Sequence, residues 1–215
     1  SEGVKYADDA YGFFPRMYDN DNSLGHVDSY KSICNLADGE APSFSDNLFF
    51  FWTYQCNWMY WRYMLWNFVG RENDLEGNQH SGGAGYGNWI SGINPVDGIR
   101  LGDQSNLPAY LKDNKARNKF FFLPLLLGIL GMVYHFRKKK LDAWIVLIFF
   151  FFTGLAIVLY LNQTPNQPRE RDYAYAGSVY AFTIWIGLGL LAIYDFMKQK
   201  IKQPMNAVYA SFAVS

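Results

Sequence analysis

The run FFFLPLLLGILGMVYHFRKKKLDAWIVLIFFFFTGLAIVLYL, Phe120 to Leu161, decides the fold. Two apolar stretches flank four consecutive cations, Arg137–Lys140, which predicts a tight helical hairpin with a strongly basic turn. The first stretch, Phe120–Phe136, is about 25 Å long at the helical rise, enough to span a bilayer with little tilt. The second, Ala143–Leu161, has 19 residues, and a third, Gly177–Met197, has 21, both close to what a bilayer requires. The expected fold is therefore an α-helical integral membrane protein with at least three transmembrane helices.

Composition agrees. Half of the 215 residues are apolar, 19% are aromatic, and the formal net charge is 0, so no global field attracts nucleic acid. Residues 1–46 hold nine acids against Lys5, Arg16 and Lys31, whereas from Arg137 onward nine Lys/Arg face four acids. Residues 1–117 are expected to form a polar lobe and 118–203 the membrane part, with 204–215 starting a further apolar segment. The start of the chain lacks the basic and apolar features of a signal peptide, and its end stops inside an apolar run, so a fragment of a longer multipass protein is expected. By the positive-inside rule, Arg137–Lys140 and Lys198–Lys202 face the cytoplasm and residues 1–117 and 162–174 face outward. Lys112, Lys115, Arg117 and Lys119 also fall outside, in a long translocated segment where charge counts less.

Within the lobe, residues 1–43 read as irregular and polar. Asp19, Asp21 and Asp28 lack the spacing of a calcium loop, and His26, His80 and His135 have no metal-ligand spacing. Cys34 and Cys56 read as unrelated thiols. Ser43 and Asp46 make a helix-starting hydroxyl–acid pair. The run after them, LFFFWTYQCNWMYWRYMLWNFV (Leu48–Val69), is long enough to span, but carries Gln55, Asn57, Arg62 and Asn67. Arg62 follows Gln55 by seven residues and so shares its helical face. Because an intramembrane Arg costs at least roughly 2.5–3.5 kcal/mol, this helix, near 46–69, is expected at the membrane surface or packed under the lobe. Gly70 reads as its C-terminal cap. Residues 71–117 read as loops. SGGAGYGNW (Ser81–Trp89) is no phosphate loop, though Tyr86 and Trp89 are placed to line a cleft.

The loop LNQTPNQPRERDYAYAG, Leu161–Gly177, sets Arg169, Glu170, Arg171 and Asp172 against the third apolar run. Pro168 suits a first helical position, and the acids suit a first turn. For the arginines two readings stand: they snorkel to headgroups, or their paired guanidinium forks hold a phosphate.

QPRERDYAYAGSVYAFTIWIGLG (Gln167–Gly189), YWRYMLWNFVGREND (Tyr60–Asp74) and GNWISGI (Gly87–Ile93) resemble a large bacterial family of multipass membrane proteins, long a domain of unknown function. That family is related to the eukaryotic protein O-mannosyltransferase of the endoplasmic reticulum. The resemblance implies a GT-C type glycosyltransferase that moves a sugar, mannose in the relative, from a polyprenyl-phosphate carrier to protein Ser/Thr hydroxyls on the outer face of a bacterial inner membrane. Its catalytic acid is expected in a segment preceding this chain, so no catalytic residue is assigned. Such chemistry needs cations for the departing phosphate: Arg169 and Arg171 first, Arg62 and Arg71 second. Glu72, Asp74, Trp89 and Tyr173 are the candidate sugar or acceptor contacts. No cofactor or metal is called for beyond the polyprenyl-phosphate sugar donor, and the expected partners are membrane lipids, a protein acceptor and further membrane subunits. The rival reading is a non-catalytic membrane subunit of an envelope export or assembly complex. A transporter ranks below both, since Phe120–Phe136 and Ala143–Leu161 carry no intramembrane charge.

Overall fold

A computed structural model describes residues 14–19, 22–74, 86–167 and 171–200. The chain is mostly helical. Two helical segments have the length and composition to cross a membrane, Lys140–Leu161 and Asp172–Gln199, and 11% and 28% of their apolar windows are buried.

The apolar hairpin forms where the sequence places it. Helix α6 spans Leu123–Lys138 and α7 spans Lys140–Phe152, so Lys139 alone makes the turn. At 16 residues, α6 is about 24 Å long. It begins later than Phe120 because Phe121 and Phe122 take left-handed backbone angles before Pro124 opens the helix. The expected second span is interrupted: α7 ends at Phe152 and α8 runs Leu155–Leu161. Thr153 turns its hydroxyl back onto the Phe149 carbonyl (2.7 Å), a bond that bends helices, and Gly154 departs from helical angles. A Cβ on Gly154 would sit 2.5 Å from the Tyr60 hydroxyl, so the break admits the aromatic helix. Helix α9, Ala176–Lys200, follows a 3₁₀ turn at Asp172–Tyr175, later than a Pro168 start requires; Pro168 itself lies outside the described residues.

Helices α6 and α9 run parallel, with Gly128 against Phe182, Gly131 against Trp185 and Gly189, and Tyr134 bonded to Asp195. Three glycines make this the closest approach in the bundle: Gly131 faces the Trp185 carbonyl and Gly189 the Leu127 carbonyl with no room for a Cβ. Small residues at such positions let helix backbones meet. Helix α7 runs the other way, Phe150 packing on Phe182 and Trp185, and Thr153 on Gly177. One end of the bundle thus holds the basic turn, tied to α9 by Lys138–Asp195 at 3.5 Å. The other holds the loop after α8, whose Asn162 and Asn166 amides donate to the carbonyls of Arg16 and Leu24.

The Ser43–Asp46 pair is a capping box, each partner holding the other's backbone N–H, and opens α2, Phe44–Phe50. Ser43 hydrogen bonds hold the half-exposed Asp46 carboxyl below its usual range. The bonus this gives the fold is complete above the unfolded carboxylate pKa and is lost as pH falls through the lowered one. Ser43→Ala should cost about 1 kcal/mol at neutral pH, read by denaturant titration. It should also flatten the loss of stability below pH of about 4, where an unperturbed carboxylate titrates.

From Phe51 to Trp61 the helix winds with the wide π geometry, then returns to α winding as α3, Arg62–Phe68. An eleven-residue π segment is long for a type seen mostly as single turns. It changes which side chains share a face. Gln55 turns to the loop after α8, donating to Asn162 Oδ1 and the Gln163 carbonyl (3.0 Å each), while Arg62 turns to Trp58, Trp66 and the Gly87 carbonyl. The one-face expectation from a seven-residue spacing fails because the wider turn shifts the register.

The whole aromatic helix packs along the bundle. Tyr54, Met59 and Tyr60 join Val158 and Tyr175 in one core that also takes in Met17 and Tyr30 of the lobe. Met64 and Phe68 join Phe182 and Trp185 in a second. Gly70 is not a cap. It starts the two-residue strand β1, Gly70–Arg71, antiparallel to β2, Asn118–Lys119. Its φ of 139° and the carbonyls of Asn118 and Ile90, each 2.6 Å from where a Cβ would stand, demand glycine there. Two expectations of irregular chain are also corrected. Residues 26–34 form α1, His26–Cys34, and residues 94–112 contain α4, Asn94–Leu101, and α5, Ala109–Lys112. Cys34 and Cys56 are free thiols.

Candidate functional site

The candidate site lies where the end of the aromatic helix, β1, the Tyr86–Ile93 segment and α4 meet above the start of α6. Arg62 is 4% exposed, with its guanidinium over Trp58 (4.2 Å) and Trp66 (4.5 Å). It donates to the carbonyls of Trp58 (3.0 Å) and Gly87 (3.2 Å). Arg71 lies over Trp66 as well, at 4.1 Å, and its Nε donates to the Asn73 carbonyl. The chain therefore builds a stack in which indole and guanidinium alternate, a contact worth about 2 kcal/mol where desolvated. Arg100 repeats the motif over Trp89 at 3.7 Å and donates to the Trp89 carbonyl. Burial pulls the Arg100 pKa down, and Asp97 and Glu72 offset part of that.

Two buried carboxylates hold this junction. Glu72 accepts from the Asn88 backbone N–H (3.1 Å) and side-chain amide (3.2 Å), which fastens the Tyr86–Ile93 segment to β1. Asp97 accepts from Ser91 N and Oγ and from Gly92 N, at 2.7–3.0 Å, which ties α4 to the same segment. Asp97 was missed in the sequence. The signal was present in Asn94-Pro95 with an acid two residues on, the pattern of a helix start.

The named arginines part company here. Arg62 and Arg71 are brought together by Trp66. Arg62 is sealed between rings, so it shapes the site and does not present itself to a ligand, which corrects the expectation of a direct phosphate contact. Glu72 is likewise fully buried, which corrects its expected acceptor contact. Arg71 and Trp89 stay half exposed. Asp74 is exposed, and the Asn114 amide at 3.0 Å keeps its carboxyl below the usual range, hence ionised. Arg171 is exposed at the start of the 3₁₀ turn, and among the described residues its guanidinium has no hydrogen-bond or ion-pair partner. Tyr173, two residues on, is 59% exposed, while Tyr175 is buried edge-on against Tyr60 at 5.4 Å. Arg171 makes no contact with the Arg62–Arg71 stack among the described residues. Arg169 lies outside them. No cluster of three or more metal-ligating side chains occurs among the described residues.

A family model described as "Family of unknown function (DUF8416)" matches residues 1–52. That match stops short of the Tyr60–Asp74, Gly87–Ile93 and Gln167–Gly189 motifs. No curated protein and no solved structure matches the chain.

Proposed function

We propose that the chain is part of a membrane glycosyltransferase of the GT-C type, acting on a polyprenyl-phosphate sugar at the lobe end of the helices. In this reading α6, α7–α8 and α9 cross the bilayer three times, with the lobe and the loop after α8 on the outer face of a bacterial inner membrane. The observation that carries it is Arg171: an exposed guanidinium without a partner among the described residues, at the lobe end of the long apolar helix α9, beside exposed Tyr173. A carrier lipid lying along α9 would bring its phosphate there, and a guanidinium fork suits a phosphate. In transfer, a Ser/Thr hydroxyl bonds to the anomeric carbon as the bond to the phosphate oxygen breaks. The hydroxyl proton goes to a carboxylate base, and charge grows on the departing phosphate. Arg171 stabilises that charge. Ionised Asp74 orients the acceptor, and the buried Arg62 stack holds Arg71 in place.

The test is mannosyl transfer from a polyprenyl-phosphate donor to a Ser/Thr peptide by the full-length protein. Arg171→Ala should lower turnover by about 10²–10³, the scale of removing one donor to a developing anion, with the melting temperature unchanged. Full turnover in the variant sinks the phosphate role. Absence of transfer by the wild type favours the second reading, a membrane subunit of an envelope assembly complex. That reading rests on the exposed apolar patch of Phe44, Phe49 and Trp52 on the aromatic helix.

A further inference from the structure

We infer that the groove between α6 and α9 is a binding site for an anionic phospholipid, whose acyl chain lies along Leu127, Leu130 and Ile193 and whose phosphate sits at Arg137. The inference rests on the proposed placement of these helices in a bilayer, but not on glycosyl transfer. It lies at the end of the bundle opposite Arg171, so it is separate from the donor lipid.

Two openings form the groove, about 560 Å³ at the basic end and about 380 Å³ toward the lobe, and they are continuous through Leu130 and Ile193. The lobe-ward part is lined by leucine, isoleucine and Pro124 alone. The other part ends in Tyr134, Arg137, Lys138, Asp195 and Gln199. Asp195 is already engaged, accepting from the Tyr134 hydroxyl at 2.7 Å and pairing with Lys138 at 3.5 Å. Arg137 is exposed and has no partner among the described residues. The mouth therefore carries one uncompensated positive charge beside a neutral amide, at the end of a hydrocarbon-lined slot. This is the pattern of an acyl chain joined to an anionic phosphate. A neutral apolar helix would leave Arg137 unmatched, and a zwitterionic lipid has no net charge to offer it.

The full chain is first floated with phosphatidylcholine vesicles. Failure to float removes the bilayer placement and the inference with it. Success isolates the second step, native mass spectrometry of the chain after exposure to equal amounts of phosphatidylglycerol and phosphatidylcholine. Phosphatidylglycerol should be retained about fivefold over phosphatidylcholine, the value of one cation near an anionic headgroup. Arg137→Gln should bring the ratio to parity, and Lys139→Gln, in the turn but outside the groove, should leave it. Leu130→Trp, at a half-exposed position, should fill the slot and reduce retention of both lipids. Equal retention by the wild type overturns the inference. So does loss of preference in Lys139→Gln equal to that in Arg137→Gln, which marks a generic basic turn, and so does a dimer that retains no lipid.

Discussion

Gly131→Ala should uncouple α6 from α9 and strongly destabilise the fold. The added methyl would land on the Trp185 carbonyl and within 2.5 Å of the Gly189 nitrogen, so both obstacles are backbone and neither can swing aside. Overpacking by one or two carbons in a side-chain core usually costs about 1–3 kcal/mol, because side chains repack. Here the helices must separate, which gives up the close contact across Leu127, Gly128 and Gly189 and pulls Tyr134 from Asp195. A loss of more than about 3 kcal/mol is expected, a large share of the roughly 5–15 kcal/mol that holds a typical domain. Thermal unfolding in detergent, followed by tryptophan fluorescence and size-exclusion profile, reads it. Gly187→Ala is the matched control, since nothing lies within 4 Å of its would-be Cβ. It should be neutral or slightly stabilising, because alanine is the better helix former. Equal behaviour of the two variants would falsify the close-packed interface.

The second large effect is expected at Arg62. Arg62→Ala removes a desolvated cation between two indoles, at about 2 kcal/mol or more, and a charged donor to the Trp58 and Gly87 carbonyls, at roughly 1.5–3 kcal/mol. The sum, about 3.5–5 kcal/mol, should lower the melting temperature by roughly 10 °C, taking 2–4 °C per kcal/mol for a chain of this size. Arg62→Lys should recover less than half. An ammonium cannot lie flat on both rings and donate in two directions at once. Near-ultraviolet circular dichroism should lose the tryptophan signal of Trp58 and Trp66 in both variants. A melting temperature unchanged in Arg62→Ala sinks the structural assignment and returns Arg62 to the list of candidate phosphate contacts.

Much of the bundle was legible because its signals are local. Apolar length, the four cations at 137–140, and the Ser43–Asp46 pair each act within a few residues, and each marks an element that is present. The departures come where tertiary contact overrides local preference. Residues 143–161 read as one smooth helix, yet the approach of Tyr60 opens it at Gly154. Gly70 reads as a helix end, but three segments converge on it. The π winding of Phe51–Trp61 has no sequence signature and reassigns Gln55 and Arg62 to different neighbours. Helices α1 and α4 are short, nine and eight residues, and their polar composition masked them. At the junction of the aromatic helix, β1 and α4, residue type pointed to arginines and aromatics, and Arg62, Arg71 and Trp89 do lie there. What it did not supply was which of them face solvent. Arg62 is covered by Trp58 and Trp66 of its own helix together with Gly87, and Glu72 by Asn88, and only packing separates them from Arg171 and Asp74.

The pairing of α6 with α9 also sets an order of events during synthesis. Gly189 leaves the ribosome 58 residues after Gly131, at translation rates of about 5–20 residues per second a delay of roughly 3–12 s. The α6–α7 hairpin, joined by Lys139 alone, is complete long before that. For those seconds the glycine face of α6 stands open to whatever neighbours it. The chain's tightest interface thus closes late, and the nascent hairpin is the stage at which a wrong helix has its best chance to take the place of α9.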